Sequence, residues 1–221
     1  SISNKTCAIA IGQFSRATAL NATAIGTNVS VSGQNGIAIG SEANAGGENS
    51  TGVGTFASAN GNWASAYGTS ANASGGAAIA FGAGSVSSGI GSIVLGTNAS
   101  GTANNSIVVG TEAEASAANA IAIGIEAVSN KINTTAVGTL SKATGNYSSA
   151  YGTLANANGG GSMAFGAGSL ATGAGSIAHG VNSTATAINA VVFGTEAGAL
   201  AEDATAIGYS AVALGVDSTA I

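Results

Sequence analysis

Few side chains in this sequence could carry out chemistry. His179 is the only histidine and Cys7 the only cysteine, so neither a histidine-based metal site nor a catalytic triad can be assembled, and no disulfide can form within the chain. We interpret Cys7 as a passive small residue. We interpret His179 as a packing residue, with one alternative: copies from several chains meet and bind an anion or make assembly pH-sensitive.

Glu42, Glu112, Glu126 and Glu196 occupy one position of a repeat described below. Paired carboxylates can act as acid and base or bind calcium, but no aspartate or basic partner accompanies these four. A solvated edge is therefore the expected role. Glycine strings such as Gly159–Gly161 lack the lysine and the strand–helix context of a phosphate-binding loop. The sequence predicts no enzymatic activity, no catalytic residue, no cofactor and no metal site.

Charge also restricts the possible partners. The chain has 4 basic and 9 acidic side chains and a net charge of −5. Its cations, Lys5, Arg16, Lys131 and Lys142, are scattered, so a nucleic-acid partner is not expected, nor is binding to an anionic membrane surface. No apolar run is long enough to span a bilayer, so any membrane anchoring would depend on segments outside this sequence.

The elements that position these residues are set by a strict repeat. Glycine recurs every 14 residues without a single insertion, and proline is absent, as is typical of strands joined by tight turns. The predicted turn glycines are Gly12, Gly26, Gly40, Gly54, Gly68, Gly82, Gly96, Gly110, Gly124, Gly138, Gly152, Gly166, Gly180, Gly194 and Gly208.

A bulky column precedes these glycines, with a histidine as its one exception. Alanine dominates the position two before the glycine, and alanine or serine the positions three and five after it. A second glycine column, seven residues after the first, includes Gly33 and Gly145. The bulky column consists of Ile11, Ile25, Ile39, Val53, Tyr67, Phe81, Leu95, Val109, Ile123, Val137, Tyr151, Phe165, His179, Phe193 and Ile207.

This pattern predicts an all-β parallel β-roll, a β-solenoid with two short strands per turn and about fifteen turns. A coiled coil is excluded because polar residues such as Thr18 and Ser32 stand seven residues after the bulky ones. Alanine can fill a narrow interior, which leaves the bulky column pointing outward as an apolar stripe that another copy must cover. A cyclic homo-oligomer with this column at its core is the simplest solution, although spacing alone does not fix the number of chains.

Domain organisation follows from the same repeat. We predict one β-roll segment over residues 1–221, because no linker interrupts the phase. A longer internal duplication overlies the short repeat: Asn62–Thr69 returns 84 residues later as Asn146–Thr153.

The segments Gly36–Gly40, Asn105–Gly110 and Ala120–Gly124, together with Ala71–Gly75, resemble the head repeats of YadA-like trimeric autotransporter adhesins of Gram-negative bacteria. This resemblance implies a left-handed roll, a homotrimer with the bulky column as the trimer core, and an extracellular head on an outer-membrane-anchored stalk. The sequence contains no neck, stalk or anchor, so we expect it to be a head segment.

Three functions are compatible with these observations. The leading one is adhesion to host extracellular matrix proteins or cell-surface receptors by a rigid, multivalent trimer. An ice-binding solenoid is the second, because threonine follows many of the glycines, although Ala83, Ile125 and Tyr209 interrupt that column. A fibre spacer without a ligand is the third. The threonines are Thr27, Thr55, Thr69, Thr97, Thr111, Thr139, Thr153 and Thr195.

A few residues interrupt the otherwise bland outer columns. They are Trp63, Tyr147, Lys131–Ile132 and Glu202–Asp203. We interpret them as tolerated variation at turns, with partner docking as the alternative.

Overall fold

The computed structural model describes all residues from Ser1 to Ile221, and it consists of short strands and turns alone. It contains no helix that could cross a membrane. The chain divides into two compact units, residues 1–112 and 113–221, and each is described by itself. The prediction of a single head segment over 1–221 stays a prediction.

The first unit contains sixteen strands. They are β1 (Ile2–Ser3), β2 (Ile9–Ile11), β3 (Arg16–Ala17), β4 (Thr23–Ile25), β5 (Ser30–Val31), β6 (Ile37–Ile39), β7 (Asn44–Ala45), β8 (Thr51–Val53), β9 (Ser58–Ala59), β10 (Ser65–Tyr67), β11 (Asn72–Ala73), β12 (Ile79–Phe81), β13 (Val86–Ser87), β14 (Ile93–Leu95), β15 (Ser100–Gly101) and β16 (Ile107–Val109).

The second unit contains sixteen more strands in the same alternation of two-residue and mostly three-residue strands. They are β17 (Glu114–Ala115), β18 (Ile121–Ile123), β19 (Val128–Ser129), β20 (Thr135–Val137), β21 (Lys142–Ala143), β22 (Ser149–Tyr151), β23 (Asn156–Ala157), β24 (Met163–Phe165), β25 (Leu170–Ala171), β26 (Ile177–His179), β27 (Thr184–Ala185), β28 (Val191–Phe193), β29 (Gly198–Ala199), β30 (Thr205–Ile207), β31 (Val212–Ala213) and β32 (Thr219–Ala220).

Within each unit, odd-numbered strands form one parallel sheet and even-numbered strands another. Each residue pairs with the residue 14 positions later, as Ile79 does with Ile93 in the first unit and Met163 with Ile177 in the second. One coil of the solenoid is therefore one repeat, and the backbone hydrogen bonds of each strand are made to neighbouring coils. This confirms the predicted all-β parallel solenoid with two strands per coil. The strands form about sixteen coils in all.

Two tight turns connect the sheets in every coil. In one coil of the second unit, the first turn closes with a hydrogen bond from the Ala155 amide to the Gly152 carbonyl (3.1 Å), and the second with one from Ser148 to Gly145 (3.1 Å). The third residue of each turn has a left-handed backbone, with φ of 61° at Leu154 and 61° at Tyr147. This is the geometry of a type II turn, which favours glycine or asparagine at that position.

The two glycine columns each begin a turn, but they are required for different reasons. Gly40 has φ +136°, and a Cβ there would lie 2.4 Å from the Gly54 carbonyl oxygen in the next coil. Gly33 does not have a left-handed φ; it is required because a Cβ would lie 1.8 Å from the Gly47 carbonyl oxygen. The coils therefore stack closely at both turns. This close stacking explains why the 14-residue spacing of the glycines tolerates no insertion.

The interior of each unit is filled by small side chains. Alanines such as Ala66 and Ala80 in the first unit, and Ala150 and Ala164 in the second, are fully buried. Buried serines can satisfy their hydroxyl groups on turn carbonyls, as Ser50 Oγ does by donating to Gly47 at 2.6 Å. The roll is therefore narrow, and its largest buried side chains are valines. The prediction of an alanine interior is confirmed.

Candidate interaction surfaces

The outward face of the even-numbered strands is apolar. In a three-residue strand such as β12, the middle residue Ala80 is buried, while Ile79 and Phe81 on either side point away from the interior. None of the fifteen residues of the bulky column is buried within the chain; Phe81, for example, is 57% exposed. We call the first and third residues of the even-numbered strands the apolar face, which each unit carries separately.

The apolar face includes a second column that the sequence analysis did not assign to it. This column is the first residue of each even-numbered strand, two positions before the bulky column. The signal was available in the sequence, because residues two apart on a strand share a face. Its large apolar members are Ile9, Ile37, Ile79, Ile93, Ile107, Ile121, Met163, Ile177 and Val191.

Aromatic rings stack along the apolar face of the second unit. Tyr151 and Phe165 are parallel, with ring centroids 5.0 Å apart and an interplanar angle of 2°. His179 continues the series, with its ring 6.0 Å from that of Phe165 and 5.5 Å from that of Phe193. The His179 side chain is exposed in the chain and lies among aromatic neighbours, which is compatible with packing between copies. Packing of His179 between copies stays the prediction, with anion binding or pH sensing as its alternative.

The outward face of the odd-numbered strands is mainly polar. Its residues include Ser30, Asn44 and Ser58 in the first unit, and charged Glu114 and Lys142 in the second. Because its side chains are mostly hydroxyls, amides and charges, this polar face needs no cover from another chain. The two faces of each roll therefore differ in chemistry.

The first turn of each coil carries the glutamate and threonine columns. Glu42 and Glu196 are exposed at the left-handed third position of the turn, and Glu196 accepts a hydrogen bond from Ser210 at 3.4 Å. No group of three or more His, Cys, Asp or Glu side chains is placed to hold a metal ion. The threonines, such as Thr69, are exposed one position earlier. Both columns are solvated turn residues.

A ladder of side-chain amides runs along the second turn. Asn21 Nδ2 donates to Asn35 Oδ1 at 2.9 Å, and Asn35 donates likewise to Asn49 at 2.9 Å. In the second unit Asn119 donates to Asn133 at 2.9 Å. These residues occupy the left-handed position, which asparagine tolerates. The sequence analysis missed the ladder, although asparagine recurs there at the repeat spacing.

The model of the YadA head domain repeat matches eight segments that together include most of the chain: 8–28, 32–57, 73–99, 102–127, 129–155, 157–180, 171–197 and 199–221. The chain belongs to the YadA head family. Among solved structures, the collagen-binding domain of the Yersinia adhesin YadA is similar at 25% identity over 74% of this chain and 68% of that one, with a TM-score of 0.29. No curated protein matches the chain.

YadA-like heads are parts of surface-exposed bacterial adhesins, and the repeats of this chain are of that type. The apolar face, the polar face and the two turn edges described above are therefore surfaces of an adhesin head domain.

Proposed function

We propose that this YadA head domain forms a homotrimer through its apolar face and attaches bacteria to host extracellular matrix or cell-surface receptors. It is held at the cell surface by segments outside this chain that are anchored in the outer membrane. The domain acts by binding alone and performs no catalysis.

The observation that carries the proposal is the apolar face. Large side chains such as Ile39, Leu95 and Phe193 remain exposed or half-buried in the single chain, although the alanine interior beside them is completely sealed. Burying the exposed part of each against another copy contributes about 1 kcal/mol, repeated over many coils. A continuous apolar surface of this kind is typical of an interface between chains. Three chains, rather than two, are implied by the YadA-like resemblance.

The same geometry leaves the polar face available to a ligand. If the apolar face lies on the trimer axis, the odd-numbered strands face away from it. Repeated coils then present similar polar positions many times, so weak contacts can add up through multivalency. This supports adhesion rather than recognition of a single small molecule.

Binding to immobilised extracellular matrix proteins tests this function. The trimeric head should be retained on at least one matrix protein or on host cells, and not on albumin. A variant made monomeric through its apolar face should bind much more weakly because avidity is lost. Equal retention on albumin, or none on any matrix protein or cell, contradicts the adhesin proposal and favours a spacer.

A further inference from the structure

Trp63 and Tyr147 are exposed aromatic residues in a backbone conformation that does not suit them. Their side chains are 62% and 66% exposed, and their φ angles are 57° and 61°. Both occupy the third position of the second turn, where most other coils have asparagine, aspartate or glycine. Every turn has this φ at its third position, so a bulky residue there carries a strain that asparagine or glycine would avoid.

The two residues correspond to each other in the 84-residue duplication. Each also follows the amide ladder directly: Asn49 precedes Trp63 by one coil, and Asn133 precedes Tyr147. An asparagine at either site would continue that ladder. The aromatic residue therefore replaces a better local choice in both copies of the duplicated segment.

The other aromatic residues with left-handed φ do not share this pattern. Phe14 and Phe56 also have left-handed φ, of 57° and 59°, but they lie on the first turn. Their counterparts 84 residues later are Asn98 and Leu140, so the duplicated segments do not both keep an aromatic ring there. Of the aromatic residues with left-handed φ, only the second-turn pair is aromatic in both copies.

Open space lies beside each ring in the following coil. Trp63 is followed by Gly76 and Ala77 at the matching turn, and Tyr147 by Gly160 and Gly161. A Cβ placed on Gly76 or Gly161 would meet no atom within 4 Å, so these turns, which we call the glycine shelf, leave open space one coil after each aromatic residue.

Amides, rather than charges, accompany both rings. Asn62 and Asn146 come directly before them and are exposed. The Asn62 Oδ1 accepts a hydrogen bond from the Glu48 backbone amide at 3.0 Å. The nearest charged residues in the preceding coil differ in sign, since Glu48 belongs to the first site and Lys131 to the second. A ligand shared by both sites is therefore not selected by charge.

We propose that these two turns are binding sites for neutral saccharides. The apolar C–H face of a pyranose ring stacks on the indole or phenol ring, the glycine shelf gives the sugar room, and the Asn62 or Asn146 amide bonds its hydroxyl groups. This inference rests on the adhesin function proposed above, because it names the chemistry of one class of ligand.

Intrinsic fluorescence tests the first site directly, because Trp63 is the only tryptophan. The assembled protein is titrated with maltohexaose, mannohexaose and a hexamer of N-acetylglucosamine as neutral probes, and with a heparin hexasaccharide as the charged probe. We expect at least one neutral probe to change the emission saturably and to protect Trp63 from acrylamide quenching, and heparin to have no such effect.

Variants separate binding from folding. Trp63→Asn should raise the melting temperature by about 2–4 °C, because it relieves the left-handed strain and extends the ladder. When Trp63→Asn is combined with Tyr147→Asn in one protein, binding of the active probe should weaken by about tenfold or more, as measured by calorimetry. Trp63→Phe should retain binding. Phe56→Asn is the matched control: it relieves the same strain on the other turn and should leave binding unchanged.

Three results would overturn the proposal. They are no response to any neutral probe, equal binding by Trp63→Asn, and a Trp63 already shielded from acrylamide in the free protein, which would place the ring in a contact between copies. Retention on matrix proteins with none of these saccharide effects would leave the adhesin function standing while the saccharide sites fail.

Discussion

At the scale of single residues, the turn glycines are set by contacts between coils. Their spacing could be predicted because glycine is the one residue that meets both the φ and the close approach of the next coil. The left-handed third position of each turn was not predicted. Phe14, Trp63 and Leu154 do not favour that conformation, and only stacking on neighbouring coils imposes it.

Replacing Gly40 by alanine should lower the free energy of unfolding by about 2–4 kcal/mol. The new Cβ would lie 2.4 Å from the Gly54 carbonyl oxygen at a φ of +136°. Gly76→Ala is the control, because its Cβ meets nothing within 4 Å, and its effect should stay within about 0.5 kcal/mol. Denaturant unfolding measures both, and equal midpoints for the two variants would contradict the stacking argument.

At the scale of the strands and turns, alternation predicted which residues face inward. Ala66 lies inside and Tyr67 outside, as a period of two requires. The same rule places the first residue of each even-numbered strand on the apolar face. That column is a weaker signal in the sequence than the bulky column, because polar residues such as Thr51 and Ser65 interrupt it. The amide ladder needed the structure, since hydrogen bonds between side chains depend on stacking distance.

The amide ladder should contribute measurably to stability. Asn35 donates to Asn49 and accepts from Asn21, at a φ of 55°. Asn35→Ala should therefore cost about 1–2 kcal/mol, because two amide contacts are lost and alanine tolerates the left-handed backbone poorly. Ala77→Asn tests the backbone preference alone, at a φ of 54°, because the neighbouring coils carry Trp63 and Gly91 and offer no amide; it should raise the unfolding midpoint slightly. An Asn35→Ala variant that loses no more stability than Ala77→Asn gains, measured by thermal unfolding, would refute the ladder's role.

At the scale of the whole molecule, the central claim is that the apolar face of each unit is covered by other copies of the chain. The sequence predicted this from the outward parity of the bulky column, and the structure places that column outside the alanine interior. The number of chains could not be derived from spacing, because any cyclic arrangement can bury a stripe on its axis.

The mass of the assembly in solution tests this claim most directly. Sedimentation equilibrium should give three chains of 20.5 kDa for the unaltered protein. A variant with Ile39, Val109 and Ile123 changed to Asp should give monomer or aggregate, whereas Ser30, Ser100 and Thr184 changed to Asp on the polar face should leave the trimer intact. A monomeric unaltered protein, or a trimer that survives the three changes on the apolar face, would contradict the account.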